Sequence, residues 1–464
     1  MDQPATGTRP FGPRFVSPML MGSALNPINS SVIATALVAI AAAMDVPVGR
    51  TSILISSLYL TSAIAQPTCG RLAEEFGPRR VFLAGISIVL VGGVLGGVGQ
   101  NLPTLVAARV LIGLGTSAGY PSAMLLIRRR AAALGLTAPP SNVLGALAIA
   151  GAATVAIGPT IGGLLVGWFN WRAAFLINIP VAGATFAMAL LWIAKDPARP
   201  SGRRGRDTLR RIDPAGVVTF GATMTALLIF LLSLPNPEWI ALGASGAAAV
   251  VMVWWELRAD NPFLDVRLLV SNLALSRTYL RYGLTFLGTY AILYGLTQWV
   301  EAARGLSAYE AGLLLIPMGV LSVVSARVAS RRRAIHRSLI AGALFMLAGA
   351  ISTLFLNSHS PIIAIVVVTA LFGLTSGSSN VTNQTALYRE APPETVGTAA
   401  GLLRTFGYVG SIAASTITGI AFRSHVDDGA LHHVSLILIG IGALVLVMTI
   451  LDRQLARSDD PGSL

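Results

Sequence analysis

Residues 52–98 read SILISSLYLTSAIAQPTCGRLAEEFGPRRVFLAGISIVLVGGVLGGV, in which two apolar segments flank a charged stretch. Each apolar segment is close to the roughly 20 residues that cross the hydrocarbon core of a bilayer as one helix. The charged stretch, residues 70–80, is short enough to be a loop. These residues therefore predict a helix that crosses a membrane, a turn, and a second helix that returns.

The same alternation continues along the chain and predicts about fourteen transmembrane helices by the length rule. Hydrophobic residues make up 54% of the sequence and charged residues 11%, whereas soluble domains carry about 25% charged residues. We therefore expect an all-α integral membrane fold without a separate soluble domain. The predicted spans lie near 16–43, 50–70, 80–100, 104–127, 142–167, 172–194, 215–234, 238–256, 278–300, 308–328, 337–357, 361–386, 396–421 and 433–452.

The rare residue types exclude several classes of protein. The single cysteine, Cys69, excludes an internal disulfide and a cysteine-based metal site. The single lysine, Lys195, is not part of a GxxxxGKS or GxxxxGKT sequence, so the P-loop of an ATP-driven pump is missing. The histidines follow no HExxH pattern, and we expect neither an enzyme nor a cofactor. One loop offers possible metal ligands, although a solvated loop is the favoured interpretation: Asp427, Asp428, His432 and His433.

Basic residues are concentrated in every second loop. The net charge is +13, yet the loops 101–103, 235–237 and 358–360 contain no Arg or Lys. Under the positive-inside rule, this bias places both termini in the cytoplasm. The alternative, a basic surface for nucleic acid or anionic lipid, fits the alternation less well, so we expect membrane lipid but no nucleic acid as a partner. The basic loops contain Arg71, Arg79, Arg80, Arg128, Arg129, Arg130, Lys195, Arg199, Arg203, Arg204, Arg206, Arg210, Arg211, Arg331, Arg332, Arg333 and Arg337.

Residues 195–214 (KDPARPSGRRGRDTLRRIDP) are polar, basic and rich in Pro and Gly, which is typical of a linker. Six spans precede this linker, two follow it, and six more come after a second polar stretch. The pattern predicts two six-helix bundles with a helical hairpin inserted between them, an arrangement that many secondary transporters use to build a central site. We expect a monomer with an N-terminal bundle at 1–195, the linker and inserted helices at 196–270, and a C-terminal bundle with a short tail at 271–464.

The loop at residues 70–80, GRLAEEFGPRR, resembles the GxLaDrxGrR signature of the major facilitator superfamily. In that family the glycines allow a tight turn, and the charged residues form contacts that hold the two bundles together in one state. An ordinary charged loop is the alternative. The matched positions are Gly70, Glu74, Gly77, Arg79 and Arg80.

In the fifth span, residues 156–163 read AIGPTIGG, which is similar to the GPxxGG motif of the family's antiporters. The GxxxG spacing lets another helix approach closely, and a proline removes a backbone hydrogen bond and bends the helix. A role in packing alone is the alternative. The matched positions are Gly158, Pro159, Gly162 and Gly163.

Two further segments resemble the fourteen-span drug:proton antiporter branch of the family. They are residues 171–180 (WRAAFLINIP) and residues 304–312 (RGLSAYEAG). In the second segment Ser307 and Glu310 have the spacing of a capping box, so we expect Glu310 to be structural. Together with the motifs above, the resemblance covers nearly the whole chain.

Arg109 lies in the fourth predicted span and matches an arginine motif of the family. An arginine inside a membrane costs about 2.5–3.5 kcal/mol on insertion scales and usually faces a cavity. We therefore expect Arg109 to act in substrate binding or coupling. The alternative is that its side chain extends to the nearer headgroup layer.

The first span departs from the pattern of the antiporter branch, which usually places an Asp there. Asn29 occupies the acidic position, three residues after Asn26. An Asn side chain forms hydrogen bonds but does not titrate near neutral pH. No Asp or Glu lies deep in a predicted span, and Glu301 near the outer end of the ninth span is the candidate proton site. A solvated Glu301 paired with Arg304 is the alternative.

The absence of a buried acid also bears on the substrate. A cavity for cationic drugs usually supplies a carboxylate, whereas this one offers arginines and amides, so we expect a neutral, zwitterionic or anionic amphiphile. Hydrogen bonds between helices are the alternative role for the amides, and lipid contact is the alternative role for arginines near span ends, including Arg277 and Arg281. The remaining candidate site residues are Asn380, Asn383, Gln384 and Arg404.

The resemblance implies a secondary active transporter that exports small amphiphilic compounds by proton antiport and alternating access. A proton-independent uniporter or anion exchanger of the same fold, or a membrane sensor without transport, are the alternatives. The preference for arginine over lysine and the many alanines suggest a GC-rich bacterial source, so we expect a bacterial cytoplasmic membrane protein.

Overall fold

A computed structural model describes residues 11–136, 141–196, 212–234, 236–260, 262–331, 334–391, 396–452 and 455. Throughout these ranges every regular element is a helix and no strand occurs. The first six membrane passages are α1 (Pro13–Met44), α2 (Val48–Phe76), α3 (Pro78–Val98), α4 (Leu102–Ala133), α5 (Ser141–Trp168) and α6 (Ala173–Trp192). The inserted hairpin consists of α7 (Pro214–Ser233) and α8 (Trp239–Glu256).

The second half contains six further passages, and a short helix, Val266–Ser271, precedes them. These passages are α9 (Leu273–Ala302), α10 (Ala308–Arg331), α11 (Ile335–Leu354), α12 (Ile362–Glu390), α13 (Val396–Ala421) and α14 (Asp428–Ile450). In the described residues, eleven of the fourteen passages are long and apolar enough on length and composition to cross a membrane. The fourteen passages match the predicted spans in order, which confirms the all-α integral membrane fold.

Two passages, α9 and α14, begin five residues earlier than hydropathy predicts. The prediction started the ninth span at 278, whereas α9 begins at Leu273, where the Asn272 side chain accepts a hydrogen bond from the Leu275 backbone. Likewise, α14 begins at Asp428, and Asp427 accepts from the Ala430 backbone. The difference arises because side-chain caps start a helix in polar residues that a hydropathy rule excludes.

Loop contacts sort the helix ends into two sets. At one end, called here the arginine-rich end, the Asp196 carboxylate after α6 binds the start of α3 at Arg80 and the end of α4 at Arg129. At the other end, called here the opposite end, Arg304 in the α9–α10 loop donates a hydrogen bond to the Ser360 carbonyl in the α11–α12 loop at 2.8 Å. Successive helices therefore run antiparallel, as spans of one bilayer must when loops are short.

Helices α1–α6 pack mainly on one another, as do α9–α14. The two bundles meet where α2 contacts α13, α5 contacts α10, and α1 contacts α9. This arrangement is the two-bundle fold expected from the sequence. The exact domain boundaries 1–195, 196–270 and 271–464 stay a prediction.

The inserted hairpin lies against α2 and α13, the helices that face each other across the two bundles. At the arginine-rich end, Asp213 accepts hydrogen bonds from Trp255 Nε1 at 2.7 Å and the Phe263 backbone at 2.9 Å. Arg71 of α2 donates to the Pro262 carbonyl beside it. At the opposite end, Arg423 after α13 donates to the Leu234 carbonyl at 2.6 Å. The hairpin is thus tied to one bundle at each end.

Candidate functional site

The centre of the first bundle is a set of buried amides. Asn29 on α1 and Asn178 on α6 exchange two hydrogen bonds, with N···O distances of 2.7 and 2.8 Å. One turn earlier on α1, Asn26 Nδ2 lies 2.9 Å from Ser62 Oγ and 2.9 Å from Thr116 Oγ1. The amide groups of Asn26 and Asn29 therefore bind neighbouring helices in this conformation.

Arg109 on α4 is 1% exposed and lies in the same region. Its Nε donates to the Leu54 carbonyl at 2.9 Å, and Nη1 donates to the Asn29 carbonyl at 3.0 Å. Its Nη2 is buried without a hydrogen-bond partner. The side chain therefore points into the protein rather than towards a headgroup layer, and its charge is solvated by backbone dipoles.

A column of aromatic side chains runs along α9 at the boundary between the bundles. Tyr282, Phe286, Tyr290 and Tyr294 follow each other at intervals of four, which places them on one helix face. Successive ring centroids are 4.5, 5.5 and 5.6 Å apart. We define these four side chains as the α9 column. Sequence reasoning missed the column, although its four-residue spacing is visible in the sequence.

Two tyrosines from other helices complete the cluster. Tyr59 on α2 lies 5.6 Å from the Tyr290 ring and 5.7 Å from the Tyr408 ring of α13. Its hydroxyl is 3.1 Å from that of Tyr294. Tyr408 in turn donates to Gln66 of α2 at 2.5 Å. Aromatic side chains of both bundles therefore contact each other at mid-height of the protein.

Arg404 lies one turn from Tyr408 on α13, towards the arginine-rich end. Its guanidinium carbon is 3.6 Å from the centre of the Tyr120 ring on α4, so the contact joins the two bundles. Tyr408 and Tyr282 are also within electrostatic range. In the described part of the chain, no carboxylate forms an ion pair with Arg404. The half-buried charge is thus surrounded by aromatic rings.

The candidate amides of α12 divide between two places. Asn380 faces the α9 column, where Tyr282 Oη lies 3.4 Å from its Oδ1, and Gln384 Nε2 is 3.2 Å from the same oxygen. By contrast, Asn383 is fully buried and accepts from Arg281 Nε at 2.9 Å. The structure therefore brings Asn380 and Gln384 to the cluster but places Asn383 in a different polar network.

For Arg281, that network argues against the alternative role in which Arg277 and Arg281 contact lipid phosphate. Arg281 is 1% exposed, and its Nη1 lies 3.5 Å from Asp452, which is fully buried after the end of α14. Arg277 Nη1 lies 3.7 Å from the same carboxylate. The fold explains these contacts, since the end of α14 packs against α9 and brings an acid that is distant in the sequence next to both arginines.

Glu301 lies at the opposite end of α9, seven residues beyond Tyr294 and so about 10 Å along the helix. It is 9% exposed, and its Oε1 has no hydrogen-bond partner. Arg304 donates to Ser360 instead. The structure therefore places Glu301 as a buried carboxylic acid beyond one end of the aromatic cluster.

The signature loop between α2 and α3 is organised by an acid that sequence reasoning did not select. Asp196 accepts hydrogen bonds from the Arg79 backbone at 3.3 Å and the Arg80 backbone at 2.9 Å, at the start of α3. Gly77 has φ +100° and lies directly against this carboxylate. Glu74, at the acidic position of the signature, is exposed. Gly70 lies inside α2 and faces Pro121 of α4.

The AIGPTIGG motif of α5 lies between α1 and α10. A Cβ at Gly158 would lie 1.8 Å from Ser31 Oγ, and one at Gly162 would lie 2.4 Å from the Val32 carbonyl, both on α1. On the other side, a Cβ at Gly163 would lie 2.3 Å from the Ala308 carbonyl of α10. The carbonyl of Pro159 packs against Gly312 of α10. The motif therefore lets backbones of the two bundles touch.

A second close approach joins the bundles at the opposite end. A Cβ at Gly49 on α2 would lie 2.4 Å from the Gly419 carbonyl of α13. Together with the α5–α10 contact, this approach closes the opposite end of the boundary between the bundles. Across the described ranges, no group of three or more His, Cys, Asp or Glu could hold a metal ion.

Comparison with known proteins gives a consistent result. The sequence model of the Major Facilitator Superfamily matches residues 19–415. The uncharacterized MFS-type transporter YwoD of Bacillus subtilis (strain 168) is 33% identical over 442 residues, which cover 94% of this chain and 96% of that protein. The tetracenomycin C resistance and export protein of Streptomyces glaucescens is 27% identical over 442 residues, which cover 92% of this chain and 78% of that protein.

Solved structures share the fold. A bacterial homologue of the human drug peptide transporters PepT1 and PepT2 superposes with a TM-score of 0.66 at 15% sequence identity, over 96% of this chain and 98% of that chain. At this identity the likeness concerns the arrangement of helices alone.

Proposed function

We propose that this chain, which belongs to the Major Facilitator Superfamily, is a secondary active transporter that exports small amphiphilic compounds by proton antiport. The family assignment makes it a multi-pass membrane transporter rather than an enzyme. Relatives are named for multidrug or antibiotic resistance, among them the multidrug resistance protein Stp of Mycobacterium tuberculosis (strain CDC 1551 / Oshkosh). Export, the substrate class and the driving ion form the proposal.

The observation that carries the proposal is the contact between Gly163 of α5 and Ala308 of α10. Small residues let two helix backbones approach closely, and a contact of this kind has no interlocked side chains that must unpack when the helices separate. Beside it, the hydrogen bond from Thr160 to the Gly312 carbonyl, at 3.0 Å, crosses between the bundles. We assign this boundary as the gate that opens and closes in alternating access.

The orientation follows from charge. The arginine-rich end faces the cytoplasm under the positive-inside rule, and the opposite end faces outward. Gly49–Gly419 and Gly163–Ala308 then form the outer gate, while Arg404–Tyr120 lies on the cytoplasmic side of the aromatic cluster. With bacterial relatives, this orientation supports a place in the bacterial cytoplasmic membrane.

We assign proton coupling to Glu301. We assign to Arg109 the role of responding to substrate bound in the aromatic cluster between the bundles. Glu301 is a buried acid with an unpartnered oxygen, and Arg109 has an unpartnered Nη2 near Tyr59 and Tyr294. The test is Glu301→Gln, which keeps the shape and removes the titratable group. Loss of substrate-driven proton flux in liposomes supports the assignment, and unchanged proton flux refutes it.

The Asn29–Asn178 pair favours one second candidate, a proton-independent uniporter or anion exchanger. An amide pair stands where an antiporter of this branch usually places an acid, and amides carry no proton across. Transport that continues unchanged after the pH gradient is collapsed would select this candidate. Transport that stops would select antiport.

The export test uses inverted membrane vesicles that contain the full chain and a panel of fluorescent amphiphiles of each charge type. Uptake into the vesicles that depends on the chain supports export. The matched variant is Arg109→Ala, for which we expect transport of every compound to fall. If no compound enters the vesicles, export by this chain is wrong.

A further inference from the structure

We propose that the cluster between the bundles binds a flat aromatic anion, with its ring system against the α9 column and its anionic group on Arg404. The inference rests on the proposed export function and names the class of compound that the same site accepts. It is carried by the aromatic column and by the distribution of charge around it.

The α9 column offers an extended stacking surface. Its first and last members, Tyr282 and Tyr294, are twelve residues apart, so the column spans about 18 Å along the helix. Tyr59 and Tyr408 approach from the other side. The Tyr59 ring lies 5.6 Å from the Tyr290 ring and 5.7 Å from the Tyr408 ring. When the bundles separate, a flat ring system can replace these contacts with equivalent stacking.

Both ends of this surface carry a positive charge. Arg109 lies near Tyr59 and Tyr294, and Arg404 lies near Tyr282 and Tyr408. Among the described residues, neither guanidinium is paired with a carboxylate. A buried charge without a counter-ion is unfavourable, so an anion that enters between the two arginines gains from both.

Arg404 is the group that an entering compound reaches first from the cytoplasm. It is half-buried, whereas Arg109 is 1% exposed and held by two carbonyls. Its present partners are the face of the Tyr120 ring and the Tyr408 hydroxyl, both uncharged groups that an anionic group can replace. The planar guanidinium matches a carboxylate or sulfonate with two parallel hydrogen bonds. Exchange of Tyr120 for the ligand would also loosen a contact between the bundles.

The same charges disfavour a cation. An organic cation would approach Arg404 and Arg109 without a carboxylate among the described residues to offset the repulsion. An anion has a further advantage, because the inside-negative membrane potential drives it outward. The acid-free site and outward transport of an anion therefore fit together.

The test compares two probes that share a ring system and differ in charge. 2-Anthracenesulfonate is an anion at every working pH, and (9-anthracenylmethyl)trimethylammonium is a permanent cation. Uptake of each into inverted vesicles with the full chain is followed by fluorescence. We expect the anion to be transported at least about tenfold faster at equal concentration, a factor within the range for a charged hydrogen bond.

Two variants separate the role of Arg404 from a structural one. Arg404→Gln removes the charge, and we expect it to reduce the preference for the anion about tenfold. Arg404→Lys keeps the charge and loses the planar fork, so it should retain the preference at a lower rate. Thermal unfolding in detergent checks that both variants fold. If Arg404→Gln does not fold, the preference of the wild-type chain decides the inference.

The outcomes distinguish this inference from the function on which it rests. Transport of the cation in preference to the anion, or equal preference in wild type and Arg404→Gln, overturns the aromatic anion and leaves export standing. If other amphiphiles from the panel are transported but neither anthracene probe is, the aromatic anion is likewise overturned and export still stands. Failure of every compound contradicts export itself.

Discussion

The side chains of Asn29 and Asn178 form a reciprocal pair of hydrogen bonds: Nδ2 of Asn29 lies 2.7 Å from Oδ1 of Asn178, and Nδ2 of Asn178 lies 2.8 Å from Oδ1 of Asn29. Both residues are almost fully buried, at 2% and 1% exposure. The pair ties α1 to α6 at the position where the antiporter branch of the family usually has a titratable acid. It is a structural bond that carries no proton.

A double-mutant cycle tests this bond. Asn29→Leu leaves Oδ1 of Asn178 buried without its donor, and Asn178→Leu does the same to Oδ1 of Asn29. Each change should therefore lower the free energy of unfolding by about 1–3 kcal/mol. The double variant should be destabilised by less than the sum, because no amide is left alone. Unfolding in mixed detergent measures all four proteins. Additive losses would show that the two amides do not stabilise each other.

If the contact between Gly163 and Ala308 is the proposed outer gate, its closure should depend on the missing side chain at Gly163. Gly163→Ala places a methyl group 2.3 Å from the Ala308 carbonyl, so we expect the gate to stay open and transport to fall at least about tenfold. Gly151→Ala on the same helix is the matched control, since its Cβ meets nothing within 4 Å.

Spin labels can read the state of this gate directly. Phe169 and Phe355 are 71% and 74% exposed in loops of the two bundles at the opposite end. Labels at these positions, in a Cys69→Ser background, should lie farther apart in Gly163→Ala than in Gly151→Ala. Equal distance distributions would mean that the gate does not depend on this contact.

The start of α3 should depend on Asp196 more than on Glu74. Asp196→Ala removes the acceptor for the Arg79 and Arg80 backbones and the partner of Arg129, 3.6 Å away. Loss of a helix cap costs about 1–2 kcal/mol. We expect a larger fall in thermal stability and transport than for Glu74→Gln, whose side chain is exposed. A larger loss of stability and transport in Glu74→Gln than in Asp196→Ala would mean that Glu74, not Asp196, organises the start of α3.

The inserted hairpin should detach when Asp213 is lost. This carboxylate accepts from the Gly216 backbone at 3.1 Å and from Trp255 and Phe263. Each such bond contributes about 0.5–1.5 kcal/mol or more when the acceptor is charged. Asp213→Ala should therefore make the α8–α9 connection more sensitive to protease. Asp260→Ala is the control, because Asp260 is exposed in the same connection; equal cleavage of both would argue against docking through Asp213.

Much of the fold could be predicted from the sequence, because the length of apolar segments and the placement of arginine are local signals. The fourteen passages follow the predicted spans, and the capping box at Ser307 and Glu310 is confirmed, with the Ser307 side chain bound to the Glu310 backbone and the Glu310 carboxylate bound to that of Ser307. Such features depend on residues within one turn of each other.

The site was less accessible to sequence reasoning because its contacts join distant segments. Asp196 and Arg80 are 116 residues apart, and nothing in either segment indicates the bond. Asp452 lies after the last span and pairs with Arg281 on α9. The α9 column was missed for another reason: tyrosine and phenylalanine read as ordinary apolar residues in a span, and only their four-residue spacing marks a continuous face.

The most direct test of proton-coupled export uses purified full-length protein in liposomes with an acidic lumen and the membrane potential clamped at zero. The compound followed is 2-anthracenesulfonate, which a pH gradient does not move by itself because it stays ionised. The account predicts accumulation in the lumen above the outside concentration, with protons leaving in step. Entry that stops at equal concentrations on both sides, with no proton movement, would contradict it.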